Sequence, residues 1–105
     1  MVNLYLALLW GLVLTLFFYA ASKFGAGKKA AVLIALGELI PFLHMLMIAL
    51  EYYNAAISGN LGVEGLIEYS RWLAYTLAEN AITDVYANMG AMVATFAIRL
   101  AESVA

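Results

Sequence analysis

The chain has 105 residues, 67% of them hydrophobic and only 11% charged, and its mean hydropathy of +0.95 is far above that of soluble domains, which are roughly 45–50% apolar. A single domain with so few polar groups cannot cover its own surface with them, so a bilayer is the expected solvent. A net charge of −2 and a pI near 5.1 offer no basic surface for nucleic acid, and the lack of cysteine excludes disulfides, thiolate metal sites and cysteine nucleophiles.

Residues 3–22, NLYLALLWGLVLTLFFYAAS, form an uncharged run of 20. At about 1.5 Å per residue it is long enough to cross a hydrocarbon core of roughly 30 Å. The run has no basic leader and no clear small-x-small cleavage site, which reads as a retained span rather than a signal peptide. Ala7, Gly11 and Thr15 recur at every fourth position, a stripe of small residues that lets another helix approach closely. Chance in a chain rich in alanine and glycine accounts for the same spacing.

Residues 23–29, KFGAGKK, gather all three lysines in a glycine-containing turn. Positive charge in a short loop marks the cytoplasmic side, so the N-terminus is expected to face outward. A second span is expected over 30–57, interrupted by Glu38, Pro41 and His44. Pro41 removes one backbone hydrogen bond and predicts a kink, while Glu38, Pro41, His44, Ile48 and Glu51 fall along one side that can face protein instead of lipid. Tyr52 and Tyr53 stand where an outer aromatic belt belongs.

The linker SGNLGVEG, residues 58–65, precedes a proline-free segment over 64–104 that reads as helix throughout. This segment carries five of the seven acids and both arginines. Glu68, Arg71, Tyr75, Glu79 and Thr83 step along one side, with Thr76, Asn80, Asp84 and Asn88 climbing beside them, so an amphipathic third helix is expected. The polar side drifts round by roughly a third to a half turn before Arg99 and Glu102. Two arrangements account for the drift: one helix of about 60 Å whose halves meet different neighbours, slightly preferred because no proline marks a stop, or a break near Asn88 to Gly90 with a short fourth helix after it. The expected fold is thus all-α, a transmembrane hairpin followed by a long third helix.

Ionisable side chains inside a bilayer cost roughly 2.5–3.5 kcal/mol each on insertion scales and usually face a bundle interior or trapped water. Glu38, Glu68, Arg71, Glu79 and Asp84, with His44, are therefore the candidate polar network. One reading is a proton or ion path with Glu38 and Glu79 as buried carboxylates tuned by Arg71; the other, preferred, is an interhelical salt-bridge network that fixes helix register. His44 is the only histidine, and Met47 and Ile48 occupy the positions where a second metal ligand would stand. A haem held by His44 from two copies is a disfavoured option beside a histidine bonded to a neighbouring helix. No glycine turn frames a serine nucleophile and KFGAGKK lacks P-loop spacing, so no enzyme chemistry is expected.

The segments LYLALLWGLVLTLFFYAASK, KKAAVLIALGELIP and EYSRWLAY together resemble the first three helices of a microbial rhodopsin. The resemblance puts Arg71 in the place of that family's third-helix arginine and Tyr75 in that of its retinal-packing aromatic, and it agrees with an outward N-terminus. Ala74 stands where the Schiff-base counterion would be required, Glu79 and Asn80 replace the small-polar and proline run, and no lysine follows that could bind retinal. What the resemblance implies is therefore confined to helix packing.

A lipid bilayer and either copies of the chain or other membrane subunits are the expected surroundings, because one copy of so short a chain cannot enclose all these charges. The function expected is that of a structural subunit, such as a pilin-like filament protein or an accessory subunit of a membrane complex. A proton or ion conductor is the alternative.

Overall fold

The structure, a computed structural model, describes residues 2–59 and 61–105; Asn60, in the expected linker, lies outside the described residues. Three helices make it up: α1 Leu4–Ser22, α2 Lys28–Ile57 and α3 Gly62–Val104. All three are long and apolar enough to cross a membrane. Helix α3 runs unbroken through Asn88 and Gly90, so a single 43-residue helix takes the place of the broken alternative. Its length accounts for the 62 Å long axis of a molecule only 27 Å by 15 Å in its other dimensions.

Helix α1 opens at Asn3, whose side-chain Oδ1 accepts the Leu6 N–H at 3.1 Å and so satisfies a donor that the first turn leaves free. It closes at Lys23, whose N–H donates to the Ala20 carbonyl at 3.2 Å, while the Phe24 N–H donates to the Ala21 carbonyl at 3.0 Å. The lysine turn is divided among the helices: Lys23 ends α1 while Lys28 and Lys29 form the first turn of α2. Gly25, at φ +66°, makes the reversal in a conformation that side-chain-bearing residues rarely adopt. The second connection is shorter than the linker expected from sequence, because helix resumes at Gly62. Gly59 and Gly62, both at positive φ, turn the chain there.

Helix α2 continues through Pro41. The proline has no N–H for the Gly37 carbonyl one turn earlier, and both residues are buried in the bundle. Gly37 does more than tolerate the proline. A Cβ there would lie 2.9 Å from Phe17 Cβ and 3.3 Å from a Leu14 methyl, so the bare backbone is what lets α1 and α2 meet.

The interhelical contacts define direction. Asn3 meets Thr83 near the start of α1, and Tyr19 and Lys23 meet Glu102 near its end, so α1 runs parallel to the later half of α3. Helix α2 runs against both: Phe17 faces Gly37 and Trp10 faces His44, while Glu38 reaches Asn88 and Tyr52 reaches Tyr69. The first half of α3, roughly residues 62–82, therefore projects past the start of α1 by about 30 Å, accompanied only by the end of α2.

Packing between α1 and α3 is built from small residues. On α3 the buried positions are Asn80, Thr83, Ala87, Ala91 and Thr95, and on α1 they are Trp10, Leu14 and Ala21. Gly11 is the close-contact point of the Ala7, Gly11, Thr15 stripe: a Cβ there would stand 3.6 Å from the Ala87 carbonyl oxygen. Large apolar side chains point the other way. Leu4, Leu8, Leu12 and Leu16 line the outer side of α1, and Val85, Met89, Val93 and Phe96 are exposed on α3. From Asn80 to Phe96 the third helix thus has its small and polar residues inward and its large apolar residues outward, the reverse of a water-soluble amphipathic helix.

Candidate functional site

The candidate polar residues separate into two groups along the molecular axis. Glu38, Asp84 and Asn88 meet within the part of the bundle flanked by α1. The Asn88 amide Nδ2 donates to Glu38 Oε1 at 3.2 Å, to Asp84 Oδ1 at 3.0 Å and to the Asp84 carbonyl at 2.9 Å. One amide thus bridges carboxylates from two helices, fixing the register of α2 against α3 with uncharged donors. An amide is suited to this because its two N–H bonds can serve two acceptors.

Arg71 is not part of that cluster. It lies at the Tyr52 level of the bundle, beyond α1, and pairs with Glu68 one turn earlier at 3.6 Å. Both side chains are 75% exposed. Since Tyr52 and Glu38 are fourteen residues apart on α2, Arg71 stands about 20 Å along the axis from Glu38. Glu79 is half-buried, enters no ion pair among the described residues, and contributes its backbone carbonyl to the Thr83 hydroxyl at 2.7 Å. The structure therefore brings Glu38 and Asp84 together and holds Glu68, Arg71 and Glu79 apart from them.

His44 is half-buried and sets its ring edge-on to Trp10, with centroids 5.5 Å apart and planes at 72°. An aromatic neighbour takes the place that a hydrogen-bonding partner on another helix was expected to fill. Among the described residues no group of three histidine, cysteine, aspartate or glutamate side chains is arranged to hold a metal ion.

Around the projecting half, Tyr52, Tyr69 and Trp72 stack in sequence at 5.2 Å between successive centroids, and the Tyr52 and Ser70 hydroxyls bond each other. At the opposite end, Glu102 collects Arg99 at 3.6 Å, Lys23 at 4.0 Å and the Tyr19 hydroxyl. Bonding with Tyr19, seconded by the Glu102 carboxylate, holds the Lys23 ammonium above its ordinary lysine value.

Reading the sequence alone missed three residues of this arrangement. Asn88 entered as one rung of a polar ladder and as one edge of the alternative helix break, while Gly37 and Thr95 were given no role of their own. The signal for Gly37 was its place four residues before Pro41, and that for Thr95 the repeat Thr83, Ala87, Ala91, Thr95, the same small-residue spacing as on α1.

No family model, no characterised protein and no solved structure matches the chain.

Proposed function

We propose that this chain is a non-enzymatic integral membrane protein that acts as a structural subunit of a larger assembly, with its N-terminus outside and the 23–29 turn on the cytoplasmic side. The observation that carries this reading is the imbalance between core and surface. Among the described residues the buried hydrophobic ones are Trp10, Leu14 and four alanines, while leucine, isoleucine, valine, methionine and phenylalanine side chains are exposed along all three helices. A core that small cannot hold three long helices together in water, because hydrophobic stabilisation scales with the apolar area removed from it.

The membrane-embedded part on this reading is α1 with the adjacent parts of α2 and α3. From Ala81 to Ile98 the only charged residue of α3 is Asp84, whereas Glu64, Glu68, Arg71 and Glu79 all lie in its projecting half. That half, with its exposed Ile67, Trp72 and Tyr75 beside the charges, is where contact with another copy or another subunit is proposed. A filament and an accessory role in a membrane complex are both compatible with it.

The test is the mass of the particle extracted gently from its native membrane. A multiple of the 11.4 kDa chain or a defined mixed complex is expected. A water-soluble monomer, or a lone monomer in detergent that keeps its fold, overturns the proposal.

The bridged pair Glu38 and Asp84 favours one second reading, a proton or ion conducting subunit, because two carboxylates share one amide in the part assigned to the bilayer. Flux in reconstituted vesicles that disappears in Glu38→Gln would support it; vesicles as tight as protein-free ones remove it.

A further inference from the structure

We infer that the groove over the first turns of α2 holds an anionic phospholipid, with its phosphate on Lys28 and Lys29 and an acyl chain along Phe24, Val32 and Leu33. These five side chains border a cavity of about 380 Å³ whose walls are apolar. Phe24 and Val32 are more than half exposed there.

Charge is the first indication. Four cationic side chains, Lys23, Lys28, Lys29 and Arg99, gather at this end of the molecule, and the Glu102 carboxylate is shared by Lys23 and Arg99. Lys28 and Lys29 enter no ion pair among the described residues, and no acid occurs in the sequence between Lys23 and Glu38. Two ammoniums are therefore left for an anion from outside the chain, and phosphate oxygens accept from them in charge-assisted hydrogen bonds. Lys29 is already held over the groove: its Nζ lies 5.5 Å from the centroid of the Phe24 ring, which forms one wall.

Depth is the second indication. The 19 residues of α1, Leu4–Ser22, span about 28 Å, close to the thickness of a hydrocarbon core. Lys28 opens α2 directly after the reversal at Gly25, so both ammoniums stand at the level where the phosphates of the adjoining leaflet begin. From there Val32 and Leu36, one turn apart and both exposed, continue along α2 toward the bilayer centre as a track for a hydrocarbon chain. A soluble phosphate would satisfy the lysines and leave this apolar wall uncovered, and a zwitterionic lipid would bring its own ammonium against theirs. The cytoplasmic leaflet, to which this end is assigned above, is the one rich in anionic lipid.

The site rests on the membrane setting proposed above and is independent of the assembly. Its test titrates phosphatidylglycerol, phosphatidylcholine with the same acyl chains, and soluble glycerol phosphate into the full chain in a mild non-ionic detergent, with bound molecules counted by native mass spectrometry. One phosphatidylglycerol per chain is expected at saturation, bound at least about tenfold more tightly than phosphatidylcholine, with no glycerol phosphate adduct at the same concentration. Lys28→Gln and Lys29→Gln, both at exposed positions, should each weaken binding about fivefold, and the double variant about 25-fold. Val32→Trp, which fills the groove and keeps both charges, should weaken it severalfold, whereas Lys23→Gln removes a charge outside the groove and should change it by less than about twofold. Equal binding of the two lipids, glycerol phosphate as effective as phosphatidylglycerol, or a double variant that binds as before overturns the site. So does Lys23→Gln as damaging as Lys28→Gln, which would mark diffuse attraction to a basic end. Protein that needs detergent and shows no preference among the lipids overturns the site alone; protein that stays folded and dissolved without detergent overturns the membrane setting and the site together.

Discussion

The backbone N–H of Asn3 donates to the hydroxyl of Thr83 at 3.0 Å, joining positions eighty residues apart. Thr83 in turn donates to the Glu79 carbonyl, and Asn3 caps its own helix through Leu6, so the start of α1 is anchored to the middle of α3 by a chain of three hydrogen bonds. Thr83→Val keeps the shape and deletes the acceptor, leaving a partly buried N–H unpaired. It is expected to destabilise the fold by about 1–2 kcal/mol. Asn3→Ala loses only the cap and should cost about 1 kcal/mol. Thermal unfolding in a mild detergent distinguishes them by the larger shift for Thr83→Val.

Three of the helical glycines, Gly11, Gly37 and Gly90, should respond differently to alanine. At Gly37 the new Cβ would meet Phe17 Cβ at 2.9 Å, an atom fixed to the α1 backbone, so Gly37→Ala is expected to destabilise by about 1–3 kcal/mol through overpacking. Trimming the ring with Phe17→Ala relieves only the Cγ contact and should rescue it in part. Gly11→Ala meets ordinary van der Waals contact and should be tolerated, and Gly90→Ala, with open space around it, should stabilise by up to about 1 kcal/mol. Equal melting shifts for all three would contradict the α1–α2 contact described.

Asn88→Leu removes the donor shared by Glu38 and Asp84. A loss of about 1 kcal/mol is expected, in keeping with the modest size of interhelical hydrogen bonds in membranes. Arg71→Gln, in contrast, breaks only an exposed pair within one helix and should shift stability by less than about 0.5 kcal/mol. If Arg71→Gln proved the more damaging of the two in the isolated protein, the separation of the polar residues into two groups would be wrong.

At the other end, the raised Lys23 value fixes a pH dependence. Because the folded state favours the charged ammonium, its contribution is fully present below the ordinary lysine value and is lost as pH rises through the raised one. Titration of the Lys23 ¹³Cε signal should give a midpoint above that of a free lysine side chain, and Tyr19→Phe should lower it. A midpoint unmoved by Tyr19→Phe would break the link.

The three helices were legible because unbroken apolar runs bounded by glycine turns admit few alternatives, and the missing proline correctly favoured one long α3 over two shorter helices. The partners of the charges were not legible. Periodicity shows which residues of one helix share a side, but the axial register between helices depends on contacts such as Phe17 against Gly37 and Tyr52 against Tyr69. Arg71 reads as a companion of Glu38 until that register is known, and it then lies far along the axis from it. The inward turn of Asn80, Thr83 and Thr95 was equally hidden, since a period marks a stripe without saying whether water, lipid or another helix covers it.

The parallel pairing of α1 with the later half of α3 has a consequence for biosynthesis. The hairpin of α1 and α2 can close before α3 is made, but Thr83, Ala87 and Glu102, which anchor α1 along its length, are translated about eighty residues after the segments they hold. Until they arrive Gly11 and the cap at Asn3 lack their α3 partners, so the pairing of α3 along α1 is expected to be the non-local step that completes the bundle.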